Sequence, residues 1–285
     1  AEKAIVIPAF AGMTMAFSAF ARFNEDVRRM PLSPTQLERH ARHIVLPEIG
    51  GVGVAKLASA HVLLVGMGGI GCPALQYLGA AGIGKLTLID GDAVDLSNLQ
   101  RQTLFTPTDV GQSKAEVAAA WVRRFDPELQ VAALPERLSA DNATALLAGA
   151  DVVLDGTDNF ATRLLVSDTL TALHIPLVSA AIGRFQGQIG TFRGWLPDAP
   201  CYRCFVGDAF DAEDCDTCAE QGVLGAMVGL VGAFAAMEVV RAITGFGDDP
   251  RGKLHLIDGL SPLWRTLKIA KDPECKACGG ASPAA

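Results

Sequence analysis

The stretch HVLLVGMGGIG at residues 61–71 decides the fold. The apolar run that it continues, Ala60–Val65, is typical of a buried strand, and the residues after it predict a helix over Gly71–Ala81. A second buried strand is predicted at Lys85–Asp90. Strand, helix and strand together form a β-α-β unit of about 30 residues, which is the usual size of a parallel crossover. The sequence therefore predicts a Rossmann-like α/β fold.

The glycines of this stretch predict a nucleotide site. Gly66, Gly68 and Gly71 complete the pattern G-x-G-x-x-G between a strand and a helix, and Asp90 lies 19 residues after Gly71. Glycines let the backbone approach phosphates at a helix N-terminus, and an aspartate at this place accepts hydrogen bonds from ribose hydroxyls. The motif is specific for a nucleotide but does not say which one, and alone it favours NAD or FAD over ATP.

Cationic side chains after Asp90 shift the prediction to ATP. Arg101 lies in SNLQRQ at residues 97–102, and Lys114 ends GQSK at residues 111–114. Nucleotidyl transfer needs fixed positive charge where negative charge develops, whereas a dinucleotide site rarely places an Arg and a Lys near its phosphates. Each residue alone is typical of an ordinary solvated charge, but the two together favour ATP.

The segment LDGTDN at residues 154–159 has two interpretations. It follows a predicted strand, Asp151–Asp155, at the sheet edge where open α/β folds bind ligands, so Asp155 or Asp158 could hold Mg²⁺ on a triphosphate. Alternatively, Asp158 and Asn159 cap a helix over Ala161–Leu173. The pattern favours neither.

The remaining elements predict a mainly parallel but mixed sheet flanked by helices. Later strands follow one another without intervening helices, which is the pattern of antiparallel pairing. The further predicted strands are Gln130–Leu134, Pro176–Ile182, Gly187–Phe192, Lys253–Ile257 and Leu263–Ile269. The further predicted helices are Pro34–Arg42, Gln112–Phe125 and Ala140–Leu147.

The apolar stretch Val223–Met237 is interpreted as a buried helix. It carries no charge but is shorter than the ~20 residues that a bilayer requires. Gly225, Gly229 and Gly232 lower its helix propensity, which indicates close approach to another backbone element. A net charge of −7, from 24 basic and 31 acidic residues, argues against nucleic acid as a partner. We therefore expect neither a nucleic-acid nor a membrane partner.

The cysteines predict a metal clamp. Six of the seven form three Cys-x-x-C pairs, a pattern that fits a reducing, cytoplasmic compartment and metal binding. The pair Cys215/Cys218 lies in an acidic segment that is expected to be mobile, so the outer pairs are the preferred zinc ligands: Cys201, Cys204, Cys275 and Cys278. Two redox dithiols or free thiols remain alternatives. The seventh, Cys72, is expected to pack as a small apolar residue.

The domain organisation expected from the sequence is a single folded unit at residues 31–280. Residues 1–30 are expected to form a disordered N-terminal extension, and residues 281–285 a short tail. The helix predicted from Pro34, with Ser33 as its N-cap, marks the start of the folded part.

The motifs together resemble the MoeB/ThiF/HesA family, the bacterial relatives of ubiquitin-activating enzymes. The resemblance covers about Leu37–Gly279 and rests on GMGGIG, LIDGDAVDLSNLQRQ, VGQSK, LDGTDN, CYRC and CKACG. It is strongest to members that serve molybdenum cofactor biosynthesis. It implies a Rossmann-like ATP-binding fold with a four-cysteine zinc clamp. It also implies an enzyme that uses ATP and Mg²⁺ to adenylylate the C-terminal glycine of a ubiquitin-like sulfur-carrier protein.

The resemblance also implies a role for individual residues. In the glycine loop of Gly66, Gly68, Gly69 and Gly71, Gly69 would contact the nucleotide, and Asp90 would bind the ribose. The segment Ser97, Asn98, Leu99, Gln100 and Arg101 would bind the phosphates together with Lys114. Asp158 would hold the metal beside Asn159, Arg42 would reach into the site of a partner protomer, and the four outer cysteines would hold structural zinc.

The implied partners are the carrier, with its C-terminal Gly-Gly, and a second copy of the chain in a homodimer. No rhodanese domain is expected after Gly279, so sulfur would come from a separate sulfurtransferase or cysteine desulfurase. Cys218 matches a loop cysteine that some members use in sulfur transfer, and Cys215 has no recognised counterpart. The alternatives are a carrier of the thiazole pathway, an NAD-dependent oxidoreductase, and a module that binds a carrier tail without chemistry.

Overall fold

The computed structural model describes residues 32–207 and 222–279. The expected N-terminal extension, the pair Cys215/Cys218 with its acidic segment, and the tail at 281–285 lie outside the described residues.

A single eight-stranded sheet forms the centre of the described chain. Its spatial order is β3-β2-β1-β4-β5-β6-β7-β8. Neighbouring strands from β3 to β5 run parallel, whereas β6, β7 and β8 are added antiparallel. This confirms the predicted mixed sheet. The strands are β1 His61–Val65, β2 Lys85–Ile89, β3 Gln130–Leu134, β4 Val152–Asp155, β5 Leu177–Gly183, β6 Gln186–Phe192, β7 Lys253–Asp258 and β8 Leu263–Lys268.

Nine α-helices lie in the described residues. They differ from the sequence prediction most at the N-terminal helices, and the short helix Tyr202–Val206 was not predicted either. The helix predicted over Pro34–Arg42 is broken at His40, whose backbone leaves the helical region (φ −98°, ψ 11°). Gly50–Ser59 was not predicted as a helix, because its three glycines disfavour one. The helices are α1 Pro34–Arg39, α2 Ala41–Ile44, α3 Gly50–Ser59, α4 Gly71–Ala81, α5 Lys114–Phe125, α6 Ala143–Leu147, α7 Phe160–Leu173, α8 Tyr202–Val206 and α9 Gly225–Thr244.

The helices bury both faces of the sheet. In β1, Val62 and Leu64 point into a core formed with α3, α4, α5 and α9, whereas Leu63 and Val65 point into a core formed with α6, α7 and α8. Successive residues of a strand face opposite sides, so a strand covered on both sides must be apolar throughout. This explains the unbroken apolar runs in the sequence. Cys72 is fully buried in the first core, as predicted.

Helix α9 is long and apolar enough to cross a membrane, with a mean hydropathy of 1.8. The core helix of a globular domain passes the same test, so this is weak evidence for a membrane span. Val231 and Val239 of α9 are fully buried in the core beside β5 and β6. Its Glu238, 1% exposed, is paired with Arg241 at 3.0 Å. These contacts agree with the predicted buried helix.

The glycines of α9 allow close approach at two of the three predicted positions. A Cβ atom on Gly232 would lie 2.6 Å from the Ile70 carbonyl oxygen, and one on Gly225 would lie 2.4 Å from the Gln100 carbonyl oxygen. A Cβ on Gly229 would meet nothing within 4 Å, so the prediction is wrong there. The first turn of α9 therefore packs against the segment that follows β2, and the middle of α9 packs against the segment that follows β1.

Gly232→Ala and Gly229→Ala should change the free energy of unfolding in opposite directions. The added methyl group at Gly232 would overlap Pro73 and Ile70 and should destabilise the fold by about 1–3 kcal/mol. At Gly229 it should stabilise the helix by about 0.5–1 kcal/mol, because alanine loses less conformational entropy. Urea denaturation of both variants gives the comparison, and equal destabilisation would contradict the packing described.

Candidate functional site

A cavity of about 640 Å³ lies at the carboxyl ends of the parallel strands. It lies where the strand order reverses, since β2 and β3 are added on one side of β1 and β4 on the other. Open α/β sheets bind their ligands at this position. Nine residues predicted for the site line it: Gly66, Gly68, Gly69, Asp90, Asn98, Arg101, Lys114, Asp158 and Asn159.

The glycine loop brings the backbone to the cavity wall. Gly66 has φ +88°, which L-residues with a side chain rarely adopt. A Cβ on Gly71 would lie 2.0 Å from the Gly66 carbonyl oxygen, so the turn closes only around glycine. The turn brings the N-terminus of α4 to the cavity, where free N–H groups and the helix dipole favour an anion.

Asp90 is fixed by the same loop. Its Oδ2 accepts a hydrogen bond from the Met67 N–H at 2.6 Å, and its Oδ1 accepts one from the Asp92 N–H at 2.7 Å. Burial raises the pKa of Asp90, while these hydrogen bonds and the positive charge of Lys114 oppose that rise. The carboxylate is therefore held in one orientation at the end of β2.

Cations line the side of the cavity that follows β2. Lys114, the first residue of α5, is 6% exposed, and its Nζ lies 3.2 Å from Asp92 Oδ2. The Arg101 guanidinium donates to the Ser97 carbonyl at 3.2 Å. Arg137 also lines the cavity, with its Nη2 2.5 Å from Asp92 Oδ1. Arg137 was missed from the sequence because it carries no motif and reaches the cavity only through the pairing of β2 with β3.

The two aspartates after β4 take different positions. Asp155 is fully buried, and burial raises its pKa, although the hydrogen bonds that its Oδ1 accepts from Thr157 oppose that rise. Asp158 is exposed and lines the cavity. Asn159 is the N-cap of α7, with its Oδ1 2.9 Å from the Thr162 nitrogen. Capping thus applies to Asn159, and Asp158 is the carboxylate available to a ligand.

A second arginine missed from the sequence, Arg163, holds the turn that follows β4. It is buried, lines the cavity, and donates from Nε and Nη2 to the Thr157 carbonyl oxygen. Its only sequence signal is its place in the first turn of α7. The contact between Arg163 and Thr157 forms because the turn after β4 folds back over the start of α7. The spacing of residues in the sequence does not show this.

Five predicted residues do not line the cavity in the described chain. Gly71 shapes the turn, Ser97 donates to Asp95 at 2.5 Å, Leu99 packs against the core, and Gln100 lies against Gly225. Arg42 is exposed on α2. Their roles in ligand binding stay predictions.

The four outer cysteines come together as a possible metal site. All four sulfur atoms lie within 4.8 Å of one another. The measured separations are 3.8 Å for Cys201–Cys204, 3.5 Å for Cys201–Cys275 and 3.4 Å for Cys204–Cys278. A tetrahedral zinc ion with bonds of about 2.3 Å requires sulfur atoms about 3.8 Å apart. The donor set and the spacing therefore fit a tetrahedral metal ion.

The surroundings of the sulfur atoms also favour a cation. Burial raises the pKa of the Cys201 thiol, and it raises the pKa of Cys278 to about 11. For Cys275, burial is outweighed by hydrogen bonds that lower the pKa, so these thiols do not ionise alike. Thiolates crowded in this way require a positive charge among them to form. The Asp272 N–H donates to Cys204 Sγ at 3.4 Å, as expected at a metal-bound sulfur.

We expect the purified chain to carry a single bound zinc ion, held by the outer cysteine pairs. Cys275→Ser should remove the metal and lower the free energy of unfolding by several kcal/mol, because binding of a structural metal contributes to folding. Cys215→Ser is the matched control and should keep the metal. Metal analysis of the three proteins checks this, and loss of metal from the Cys215 variant alone would show that the middle pair binds it.

Comparison with known proteins identifies the family. The model of the ThiF family matches residues 40–277. The SAMP-activating enzyme E1 of Haloferax volcanii is 41% identical, and the match covers 88% of this chain and 92% of that protein. The sulfur carrier protein adenylyltransferase of Thermus thermophilus is 40% identical, with coverage of 86% and 91%.

Longer relatives and solved structures agree with the match to the ThiF family. The adenylyltransferase and sulfurtransferase MOCS3 of Mus musculus is 42% identical over 88% of the chain, which spans only 54% of that relative. E. coli MccB in its crystal structure with ATP has a TM-score of 0.71 at 21% identity, covering 93% of this chain and 83% of MccB. PaaA has a TM-score of 0.71 at 23% identity, with coverage of 85% and 76%. The two structures show a shared fold, and the family match confirms the resemblance predicted from the motifs: the chain belongs to the ThiF family.

Proposed function

We propose that the chain transfers AMP from ATP to the C-terminal glycine of a ubiquitin-like sulfur carrier and releases pyrophosphate. The observation that carries the proposal is the cavity in which Asp90, Arg101, Lys114 and Asp158 surround one space beside the glycine loop. Its cations suit a triphosphate, and its loop suits phosphates at a helix N-terminus. The relatives named adenylyltransferases support the same chemistry.

A second cavity supports a protein tail as the acceptor. It has a volume of about 660 Å³, extends over β5, β6 and β7, and shares Asp158, Arg163 and Ile182 with the nucleotide cavity. At its edge Leu260 is 68% exposed and Leu263 is 43% exposed. An extended C-terminal segment in this cavity would lead to the nucleotide, while the exposed leucines would contact the body of the carrier.

The reaction requires positioning and charge rather than an enzyme nucleophile. The terminal carboxylate of the carrier attacks the α-phosphorus, and the bond to the β-phosphate oxygen breaks with pyrophosphate as the leaving group. Negative charge grows on the phosphates in this step, and Arg101 and Lys114 are the fixed cations that would stabilise it. Asp90 would hold the ribose by accepting from its hydroxyls.

The residues present also fit the magnesium ion that the family prediction implies. Asp158 offers an exposed carboxylate at the cavity wall, next to the space proposed for the phosphates. Carboxylate oxygen is a preferred ligand of Mg²⁺. When bound there, the ion would neutralise charge on the phosphate groups. We include Asp158 among the catalytic residues for this reason.

The acceptor that we propose belongs to the class of sulfur carriers. We propose the small subunit of molybdopterin synthase, from the resemblance of the motifs, with the carrier of the thiazole pathway as the alternative. A separate sulfurtransferase or cysteine desulfurase would then supply the sulfur. The NAD-dependent oxidoreductase considered from the glycine motif is disfavoured by Lys114 and Arg101 in the cavity and by the family match.

Exchange of labelled pyrophosphate into ATP tests the proposal. We expect exchange with a carrier that ends in Gly-Gly and none with the same carrier lacking its last glycine, because the terminal carboxylate is the acceptor. Molybdopterin-pathway and thiazole-pathway carriers in parallel would identify the acceptor. ATP binding without exchange for either carrier would favour a non-catalytic binding module.

A complementation experiment tests the proposed homodimer. Arg42 is exposed on α2 and does not line the described cavity, so it would act only in the site of a partner protomer. Arg42→Ala and Lys114→Ala should each abolish exchange. Mixing them under conditions that exchange protomers should restore about a quarter of wild-type activity, since half of the dimers are mixed and each has one intact site. Arg42→Ala mixed with itself is the control, and no recovery in the mixture would contradict the shared site.

A further inference from the structure

We propose that Asp92 is a positioning residue that holds Lys114 and Arg137 on two sides of the nucleotide cavity. The inference rests on the proposed adenylyltransferase function. Asp92 carries no predicted ligand role, yet it is the third residue after β2 and lines the cavity. Its two carboxylate oxygens bind two different cations, which come from two other segments of the chain.

Asp92 fixes Lys114 through both its backbone and its side chain. The Asp92 carbonyl accepts from the Lys114 N–H at 3.0 Å, and Oδ2 pairs with Nζ at 3.2 Å. The segments are joined further along, because the Val94 N–H donates to the Gln112 carbonyl at 2.8 Å. The first turn of α5 is thereby attached to the segment that follows β2. A lysine side chain has four rotatable bonds, and this contact selects the rotamer that faces the cavity.

Asp92 also fixes the segment that follows β3. Its Oδ1 lies 2.5 Å from Arg137 Nη2, although the Arg137 side chain is 79% exposed. Arg137 is packed against Gly91, where a Cβ would lie 2.5 Å from Arg137 Cγ and 3.0 Å from the Arg137 backbone nitrogen. The Arg137 carbonyl accepts from Asn142 Nδ2 at 3.0 Å. The guanidinium is therefore held against Asp92, after the end of β2, in the wall of the cavity.

The stability contributed by these pairs does not explain the arrangement. Asp92 is 46% exposed, and ion pairs exposed to this degree contribute little to folding. Lys114, in contrast, is 8% exposed at its side chain, so its ammonium group has few alternative positions. What Asp92 provides is the placement of charge around the cavity.

A positioning role predicts an unusual kinetic effect for Asp92→Asn. The substitution removes a negative charge beside the proposed triphosphate, so the KM for ATP should stay the same or fall. The freed Lys114 would no longer be held against the phosphates, so kcat should fall by about 100-fold, as expected for a misplaced catalytic group. A variant that merely disturbed the fold would instead raise KM and lower Tm.

The test measures kcat and the KM for ATP in pyrophosphate exchange with wild type and Asp92→Asn. Because Lys114→Ala should abolish exchange, the residual rate of single-turnover adenylate formation is compared between Lys114→Ala and the double variant. If Asp92 acts through Lys114, Asp92→Asn should lower kcat in the wild-type background and leave that residual rate unchanged in Lys114→Ala. Asp248→Asn is the matched control: it removes one carboxylate that pairs with Lys253 at 3.3 Å on the surface, and should leave both constants unchanged.

The outcomes separate this inference from the proposed function. A wild type without exchange would overturn the proposed function and this inference with it. An active wild type whose Asp92→Asn variant keeps its kcat, loses ATP affinity with lower Tm, or adds its effect to that of Lys114→Ala would overturn this inference alone.

Discussion

The turn between β1 and α4 is the constraint on which the other parts of the structure depend. A Cβ on Gly71 would lie 2.0 Å from the Gly66 carbonyl oxygen, so no other residue type allows the helix to begin this close to the strand. The turn places the Met67 N–H on Asp90 and the Ile70 carbonyl against Gly232 of α9. This short turn thus forms part of the cavity wall, fixes the orientation of the Asp90 carboxylate, and provides the surface on which α9 packs.

Backbone groups hold several of the charged side chains around the cavity, whereas Lys114 and Arg137 are held by ion pairs with Asp92. Asp90 is held by two N–H groups, Asn159 caps α7, and the Arg163 guanidinium binds the Thr157 carbonyl. Arg101 binds the Ser97 carbonyl in the same manner. Such contacts fix charged groups without neutralising them. The field of Arg101 and Arg163 is therefore available to an anionic ligand, which is the condition for electrostatic stabilisation of a growing charge.

The sequence was sufficient where the information is local and insufficient where it depends on contacts between distant segments. The boundaries of α4 and β3 were predicted to the residue, because apolar periodicity and a glycine after the helix mark them. Helix α3 was missed because its glycines disfavour a helix that packing against α9 nevertheless stabilises. Arg137 and Arg163 were missed because strand pairing and a folded turn bring them to the cavity. The close approach inferred for Gly229 was wrong because helix composition does not say which face meets a neighbour.

The cysteine cluster connects the far end of the chain to the helix that begins at the cavity. Cys201 is the N-cap of α8, and Arg203 in that helix pairs with Asp168 of α7 at 2.6 Å. The N-terminus of α7 is Asn159, next to Asp158 at the cavity wall. A metal among the four sulfur atoms would therefore fix α8 against the C-terminal segment and, through the Arg203–Asp168 pair, support α7. Its contribution would be mechanical, since the sulfur atoms lie on segments that do not line the nucleotide cavity.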